Sequence, residues 1–225
     1  MKTKKTIAII PARGGSKRIP NKNIKLLGDL PLLAYSINYA KSNMTVIDEV
    51  YVSTDDEEIK KTAIKFGAKV IDRPIEISGD LEPTITTIEH ALTLIKDVGN
   101  IILLQPTSPF RPKYLLQNAF KLFLDLNSDS LFTVSRDLKK LGKIRDNIFS
   151  PFNYKIGQRS QDLEPLYFEN GLLYIAKAST IKQGKIISEN AFPLKVDHRF
   201  SEIDIDTIED LKYAEYILAT SKNEV

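Results

Sequence analysis

"IIPARGGSKRIPNKN", residues 9–23, decides how the rest of this chain is read. The apolar run Ile7 to Ile10 enters a loop holding two glycines, two prolines and four basic side chains, and no acidic residue precedes Asp29. A short apolar run stopped by Pro11 reads as a buried strand rather than a helix. The loop therefore lies at a strand's carboxyl end, where open α/β sheets bind ligands. Glycines let the backbone approach a phosphate closely, and Arg13, Lys17, Arg18 and Lys22 can supply charge-assisted hydrogen bonds. The glycine spacing is neither that of a Walker loop nor that of a dinucleotide fingerprint. Taken by itself, the loop reads equally as a phosphate cradle or as a merely tight turn.

Outward from this loop the chain alternates. "TIAIIPA" (6–12), "DEVYVST" (48–54), "AKVI" (68–71), "NIILLQ" (100–105) and "DSLFTVS" (129–135) read as strands. Between them "LPLLAYSINYAKS" (30–42), "DEEIKKTAIKFG" (56–67), "PTITTIEHALTLIKDV" (83–98) and "PKYLLQNAFKLFLDL" (112–126) carry helical spacing, the last with Pro112 near its first turn. This βαβα rhythm predicts an α/β fold with a mostly parallel sheet and helices on both faces. Past Ser135 the rhythm breaks. Residues 136–170 read as loop-like, followed by a strand at "GLLYIAKA", a short helix, a strand at "AFPLKV" and a closing helix from about Asp206 to Leu218. The chain is read as a single domain, 1–225, with an insertion within 136–200 that forms an active-site wall or a dimerisation arm.

Charge narrows the function. The first 25 residues hold eight Lys and Arg and no acid, so the remaining 200 hold 24 basic against 29 acidic side chains. A basic excess packed around one loop favours a small anionic ligand over a nucleic acid, whose binder would spread charge over a face. A solvated, lysine-rich start explains Lys2, Lys4 and Lys5, but explains Arg13, Lys17, Arg18 and Lys22 poorly. The chain has no cysteine and only His90 and His198. Disulfides, thiolate metal sites, cysteine nucleophiles and histidine-rich metal sites are thereby set aside. No apolar run reaches the roughly 20 residues of a membrane span, and the opening apolar stretch is too short for a signal peptide, so a cytoplasmic protein is expected.

The string "IIPARGGSKRIPNKNIKLLGDLPLLAYSI" closely resembles the first motif of the acylneuraminate cytidylyltransferases, the CMP-sialic acid synthetases. The likeness continues through "VYVSTDDEEI", "LLQPTSPFR", "RSQDLEP", "ENGLLYI" and "IDIDTIEDL", in family order and spacing, over nearly the whole chain. It implies a Rossmann-like nucleotidyltransferase fold with a projecting dimerisation element, hence a homodimer. It also implies transfer of CMP from CTP to the anomeric hydroxyl of an acidic nine-carbon sugar, with release of pyrophosphate. By the resemblance, Arg13 and Lys22 clamp the triphosphate, Ser16 and Asn23 contact phosphate and ribose, and Pro11 and Ala12 offer backbone to the cytosine edge. Arg73 and Thr84 align with nucleoside contacts, although Arg73 could equally be a surface ion-pair partner. Gln105 is a polar residue ending an apolar strand, and the family uses it on the sugar. Arg159 would pair with the sugar carboxylate through its bidentate fork, assisted by Gln161. Tyr174 reads as core.

Asp204 and Asp206 are two apart on an extended segment, so both carboxylates point one way, which is costly unless a cation bridges them. Mg2+ is the natural cation, since it takes a few carboxylates plus substrate phosphates. The plainer reading is that one of the two caps the helix beginning near Thr207. Asp210 reads as a first-turn acid favoured by the helix dipole.

Two letters depart from the family. Arg18 stands where glycine is common, and Phe168 stands where an arginine precedes "ENG". The motifs mix the sialic, legionaminic and pseudaminic branches, so the sugar is left open within that class. A 3-deoxy-octulosonate-type synthetase would share the fold and chemistry but lack "GGSK". A non-catalytic nucleotide-binding module would keep the first loop and lose the acid pair. A single-strand nucleic-acid binder would need aromatic residues interleaved with a broad basic face.

Overall fold

Strand β1 (Lys5–Pro11) is apolar throughout its middle because both of its faces are covered. A computed structural model of the chain describes residues 4–221. Ala8 and Ile10 face one hydrophobic cluster, while Ile7 and Ile9 face another. Following β1 come the two-residue strands β2 (Leu26–Leu27) and β3 (Leu30–Pro31), helix α1 (Leu32–Lys41), β4 (Glu49–Thr54), α2 (Glu57–Lys65) and β5 (Lys69–Asp72). Then α3 (Thr84–Leu94), β6 (Val98–Leu103), α4 (Leu115–Asp125) and β7 (Ser130–Asp137) repeat the alternation. The remainder is β8 (Gly142–Arg145), β9 (Ile148–Pro151), β10 (Leu166–Lys177), α5 (Ala178–Ile181), β11 (Phe192–Lys195) and α6 (Ile208–Thr220).

Seven strands form the main sheet in the order β11-β7-β10-β6-β1-β4-β5. All pairings are parallel except those of β10, which runs antiparallel between β6 and β7. Helices α1, α2, α4 and α6 pack on the face carrying Ala8 and Ile10. Helices α3 and α5 cover the face carrying Ile7 and Ile9. The strand order turns back at β1, whose neighbours are β4 and β6, and ligands of such sheets bind outside the carboxyl ends at this kind of point.

The reading of residues 136–170 as loop-like is corrected by the structure. β7 runs on to Asp137, β8 and β9 pair as a separate hairpin, and β10 begins at Leu166 rather than near Gly171. The signal was hidden because this hairpin packs on no sheet face. Ile144, Ile148, Phe149 and Phe152 stay exposed, so there is no apolar-in, polar-out alternation to detect. A bulge then interrupts β10 between Glu169 and Tyr174, breaking the period of two in "ENGLLYI". At the helix starts, α1 and α4 begin at Leu32 and Leu115, each later than the apolar spacing suggests. None of the described helices is long and apolar enough to cross a membrane.

Three adjacent strands are tied at the sheet end opposite the first loop. Glu49 accepts from Lys69 at 2.6 Å, from the Tyr51 hydroxyl at 2.9 Å and from Lys5 at 3.2 Å. The Lys69 bond chiefly holds its carboxyl down at about 2, against the opposing pull of burial. Because the folded value lies below the ordinary one, this stabilisation is present above about pH 4.5 and is lost as pH falls toward about 2. Glu49→Gln is expected to flatten the acid limb of the unfolding midpoint between those values while lowering stability at neutral pH. Urea titrations across that range measure it.

Candidate active site

The glycine loop is held open by the strand beside it. The Gly14 N–H donates to Asp55 Oδ1 at 2.9 Å, the Ala12 N–H donates to the Ser53 carbonyl at 2.9 Å, and Gly15 takes a φ of +41° that favours glycine. A Cβ at Gly14 would come within 3.1 Å of Asp56, whose own side chain caps α2 through the Glu58 and Ile59 N–H groups. The "STDD" segment thus explains the loop: Ser53 and Asp55 accept its backbone donors, and Asp56 would have to give way by a few tenths of an ångström to any side chain at position 14. From inside the loop, the buried Asn23 donates to the Arg13 carbonyl at 2.9 Å. Asn23 therefore fixes the Arg13 backbone.

The loop's far end meets the acid pair. Lys22 Nζ donates to the Ile205 carbonyl and to Asp206 Oδ1, both at 2.9 Å, with its side chain only 14% exposed. Arg18 Nη1 donates to Asp206 Oδ2 at 2.9 Å. Arg18, which the sequence left unexplained, therefore shares one carboxylate with Lys22. The Ile205 N–H donates to the Thr107 carbonyl at 2.8 Å, which joins this segment to "PTSPF". Ile203 and Ile205 are buried while the alternating Asp204 and Asp206 are not, so the two carboxylates stand on the same side. Neither caps the helix. Thr207 is the N-cap of α6, and Asp210 completes a capping box by accepting from the Asp206 and Thr207 N–H groups.

One cleft of about 190 Å³ gathers Pro11, Arg13, Ser16, Lys22, Asn23, Arg73, Thr84 and Gln105 from four separate segments. Ala12 lies beneath it, fully buried. Arg73 is no surface ion-pair partner: it is 8% exposed and donates to the Ser53 carbonyl at 2.5 Å and to Ser53 Oγ at 3.2 Å. Burial lowers its pKa, with the nearby Asp55 acting against the shift. A second cavity of about 570 Å³ opens beside the first. Gln105 and Asp204 line it together with Phe168, Glu169, Asn170 and Tyr174. Tyr174 is thus wall as well as core, its hydroxyl donating to Glu169 at 3.2 Å. Burial, then Glu169, pushes that hydroxyl's pKa up.

Arg159 and Gln161 are not brought to either cavity. Gln161 lies on the short turn Ser160–Asp162, and Arg159, just before it, makes a two-pronged contact with Asp162 at 2.7 and 3.0 Å. Sequence reasoning also missed Asp80. Its carboxylate forms ion pairs with both Arg13 and Lys17, which hold it below the usual range, Lys17 foremost. Asp80 sits on a loop that lines the cleft through Gly79 and Glu82, and nothing in its irregular sequence marks it out. Among the described residues no three histidine or acidic side chains converge as a metal site. A cation here would rest on the two aspartates and on its substrate.

The chemistry available is therefore anion binding by several cations, next to a carboxylate pair and a second polar cavity. Comparison with known proteins agrees. The cytidylyltransferase family model matches residues 7–223. A pseudaminic acid cytidylyltransferase of Campylobacter jejuni is 33% identical, over 95% of this chain and 96% of its own. A CMP-N,N'-diacetyllegionaminic acid synthase of Legionella pneumophila is 34% identical, over 94% and 95%. An N-acylneuraminate cytidylyltransferase A of Danio rerio is 37% identical over 95% of this chain, which spans about half, 51%, of that relative's length. Among solved structures, CMP:2-keto-3-deoxy-manno-octonic acid synthetase complexed with CTP shares the fold at a TM-score of 0.72 and 17% identity, covering 96% of this chain and 99% of that one. With the match running through the glycine loop, "PTSPF" and the Asp204–Asp206 segment, the chain is a nucleotidyltransferase and belongs to the cytidylyltransferase family.

Proposed function

We propose that the chain transfers CMP from CTP to the anomeric hydroxyl of an acidic nine-carbon sugar of the sialic, legionaminic or pseudaminic class, releasing pyrophosphate. The observation that carries this reading is the adjacency of a cation-lined cleft to a second, sugar-sized cavity, with Gln105 in the wall of both. The near-full-length relatives named for pseudaminic and legionaminic acids support the sugar class. Arg13 and Lys22 bind the triphosphate and stabilise the charge that gathers on the departing pyrophosphate. Arg73, Thr84 and the backbone at Pro11 and Ala12 hold the nucleoside, while Ser16 and Asn23 serve phosphate and ribose. The sugar hydroxyl bonds to the α-phosphorus as the bond to pyrophosphate breaks and the hydroxyl proton leaves. Catalysis of this kind is mainly positioning and electrostatic stabilisation.

The donor set fits magnesium, which accepts one or two carboxylates and completes its shell with substrate phosphate and water. Asp204 and Asp206 would hold it, and bound there it supplies charge neutralisation to the triphosphate. Arg18 and Lys22 each hold one oxygen of the Asp206 carboxylate and so orient it. Phe168 gives the second cavity an apolar wall where the family has a cation, which favours sugars whose side chains are less rich in hydroxyls. The hairpin β8–β9 exposes Ile144, Ile148 and Phe149, an apolar surface that a second copy of this chain would cover.

Pyrophosphate release from CTP is expected with at least one member of a panel of sialic, legionaminic and pseudaminic acids, and silence with all of them would overturn the assignment. Asp206→Asn should abolish turnover while circular dichroism stays unchanged; a wild-type rate would mean that the acid serves only to hold Lys22. Asp80→Asn, by freeing Arg13 and Lys17, should lower the KM for CTP about two- to fivefold, the worth of exposed ion pairs. That gain should vanish in high salt. Light scattering is expected to give the mass of a dimer, and Ile148→Asp with Phe149→Asp to give that of a monomer.

A further inference from the structure

Arg111 carries its charge inside the protein. It is 3% exposed, and no carboxylate pairs with it. Its guanidinium instead donates from Nε to the Leu172 carbonyl at 2.6 Å, from Nη2 to the Gln105 carbonyl at 2.9 Å and from Nη1 to Ser36 Oγ at 3.1 Å. The Tyr39 ring faces it, with its centroid 5.6 Å from Cζ. Burial draws its pKa down to about 10, so it stays charged at neutral pH. A buried cation balanced only by carbonyl dipoles and a ring is costly compared with an apolar side chain of similar volume. Packing alone gives no reason for an arginine here.

The two carbonyls identify what the charge does. Gln105 follows the end of β6, and Leu172 sits within the bulge of β10, directly after Gly171. Gln105 and the Asn170–Gly171 stretch just before Leu172 both line the second cavity. They approach so closely that a Cβ at Gly171 would lie 3.1 Å from Gln105 Oε1 and 2.8 Å from Ser108 Oγ, and the Gly171 φ of +72° disfavours any other residue. From the opposite side of the bulge, Asn170 accepts from Thr133 Oγ1 at 2.6 Å and donates to Ser135 Oγ at 2.9 Å. The bulge is thus fixed to β7 by Asn170 and to β6 by Arg111.

We propose that Arg111 is a positioning residue for the sugar: its planar fork spans the Gln105 and Leu172 carbonyls and so sets the separation of the Gln105 side chain from the Asn170–Gly171 wall. It lines neither cavity, so it acts through Gln105 and Gly171 and touches neither substrate. The inference rests on the reading of the second cavity as the sugar site.

Steady-state kinetics with CTP and the best sugar of the panel test it. Arg111→Lys keeps the charge but cannot span two carbonyls, and Arg111→Met removes the charge at similar volume. Each should raise the KM for the sugar about ten- to a hundredfold, the worth of a buried charged hydrogen bond, while leaving the KM for CTP within about twofold. Gly171→Ala, which pushes on Gln105 from the cavity side and leaves the buried cation in place, should reproduce the same split even if the arginine variants fold poorly. Equal shifts in both KM values, a change confined to the melting temperature, or an unaltered sugar KM in Gly171→Ala would overturn the proposal while leaving the function standing. No turnover of any acidic nine-carbon sugar by the unaltered chain would remove both.

Discussion

The ammonium of Lys22 joins the two ends of the chain. It donates at once to the Ile205 carbonyl and the Asp206 carboxylate, partners 183 and 184 residues away in sequence. The lysine side chain is largely buried while that of Asp206 is 49% exposed, so solvent and salt reach the pair from the carboxylate side. Each neighbouring contact locates one more piece relative to it. Asn23 fixes the Arg13 backbone, Asp55 fixes Gly14, and the Ile205 N–H reaches Thr107. A cleft drawn from four segments is thereby held together, with several cationic side chains along its wall.

Those cations do not stand bare. Arg13 and Lys17 lean on Asp80, and Arg18 and Lys22 lean on Asp206. Like charges crowded into one cleft would repel one another and weaken the folded state, and the two carboxylates relieve this locally. The arrangement also sets an order among incoming anions. A monovalent anion must displace a fixed carboxylate with no gain in charge, whereas a polyphosphate contacts several cations at once and outbids either acid.

Much of this was legible in the letters because the relevant features are local. The alternation of "TIAIIPA" with helical stretches pointed to the sheet, and the glycines and basic residues of 9–23 marked a loop that lines the cleft. What stayed hidden depends on distance. Asp80 acquires meaning only once its loop folds beside Arg13, and Arg18 only once Asp206 arrives from the other end of the chain. Arg111 reads as an ordinary polar residue before a proline until burial exposes the absence of an acid beside it. The hairpin β8–β9 escaped notice for the opposite reason, since a pair of strands with no sheet to cover carries no one-sided pattern. Arg159 and Gln161 rest on resemblance alone, and neither lines the cleft or the second cavity.

The antiparallel strand β10 has a temporal consequence. Strands β1, β4, β5 and β6 find their neighbours in the order in which they are made, with each new strand able to dock on those before it. β7 cannot, because both of its sheet partners, β10 and β11, come later in the chain. At ribosomal speeds of roughly 5–20 residues per second, β7 waits on the order of seconds with both edges unpaired. Asp206 is made later still, so Lys22 and Arg18 acquire their carboxylate only when the last helix is reached. The nascent protein therefore carries an unpaired strand and a half-neutralised loop together, during the same interval.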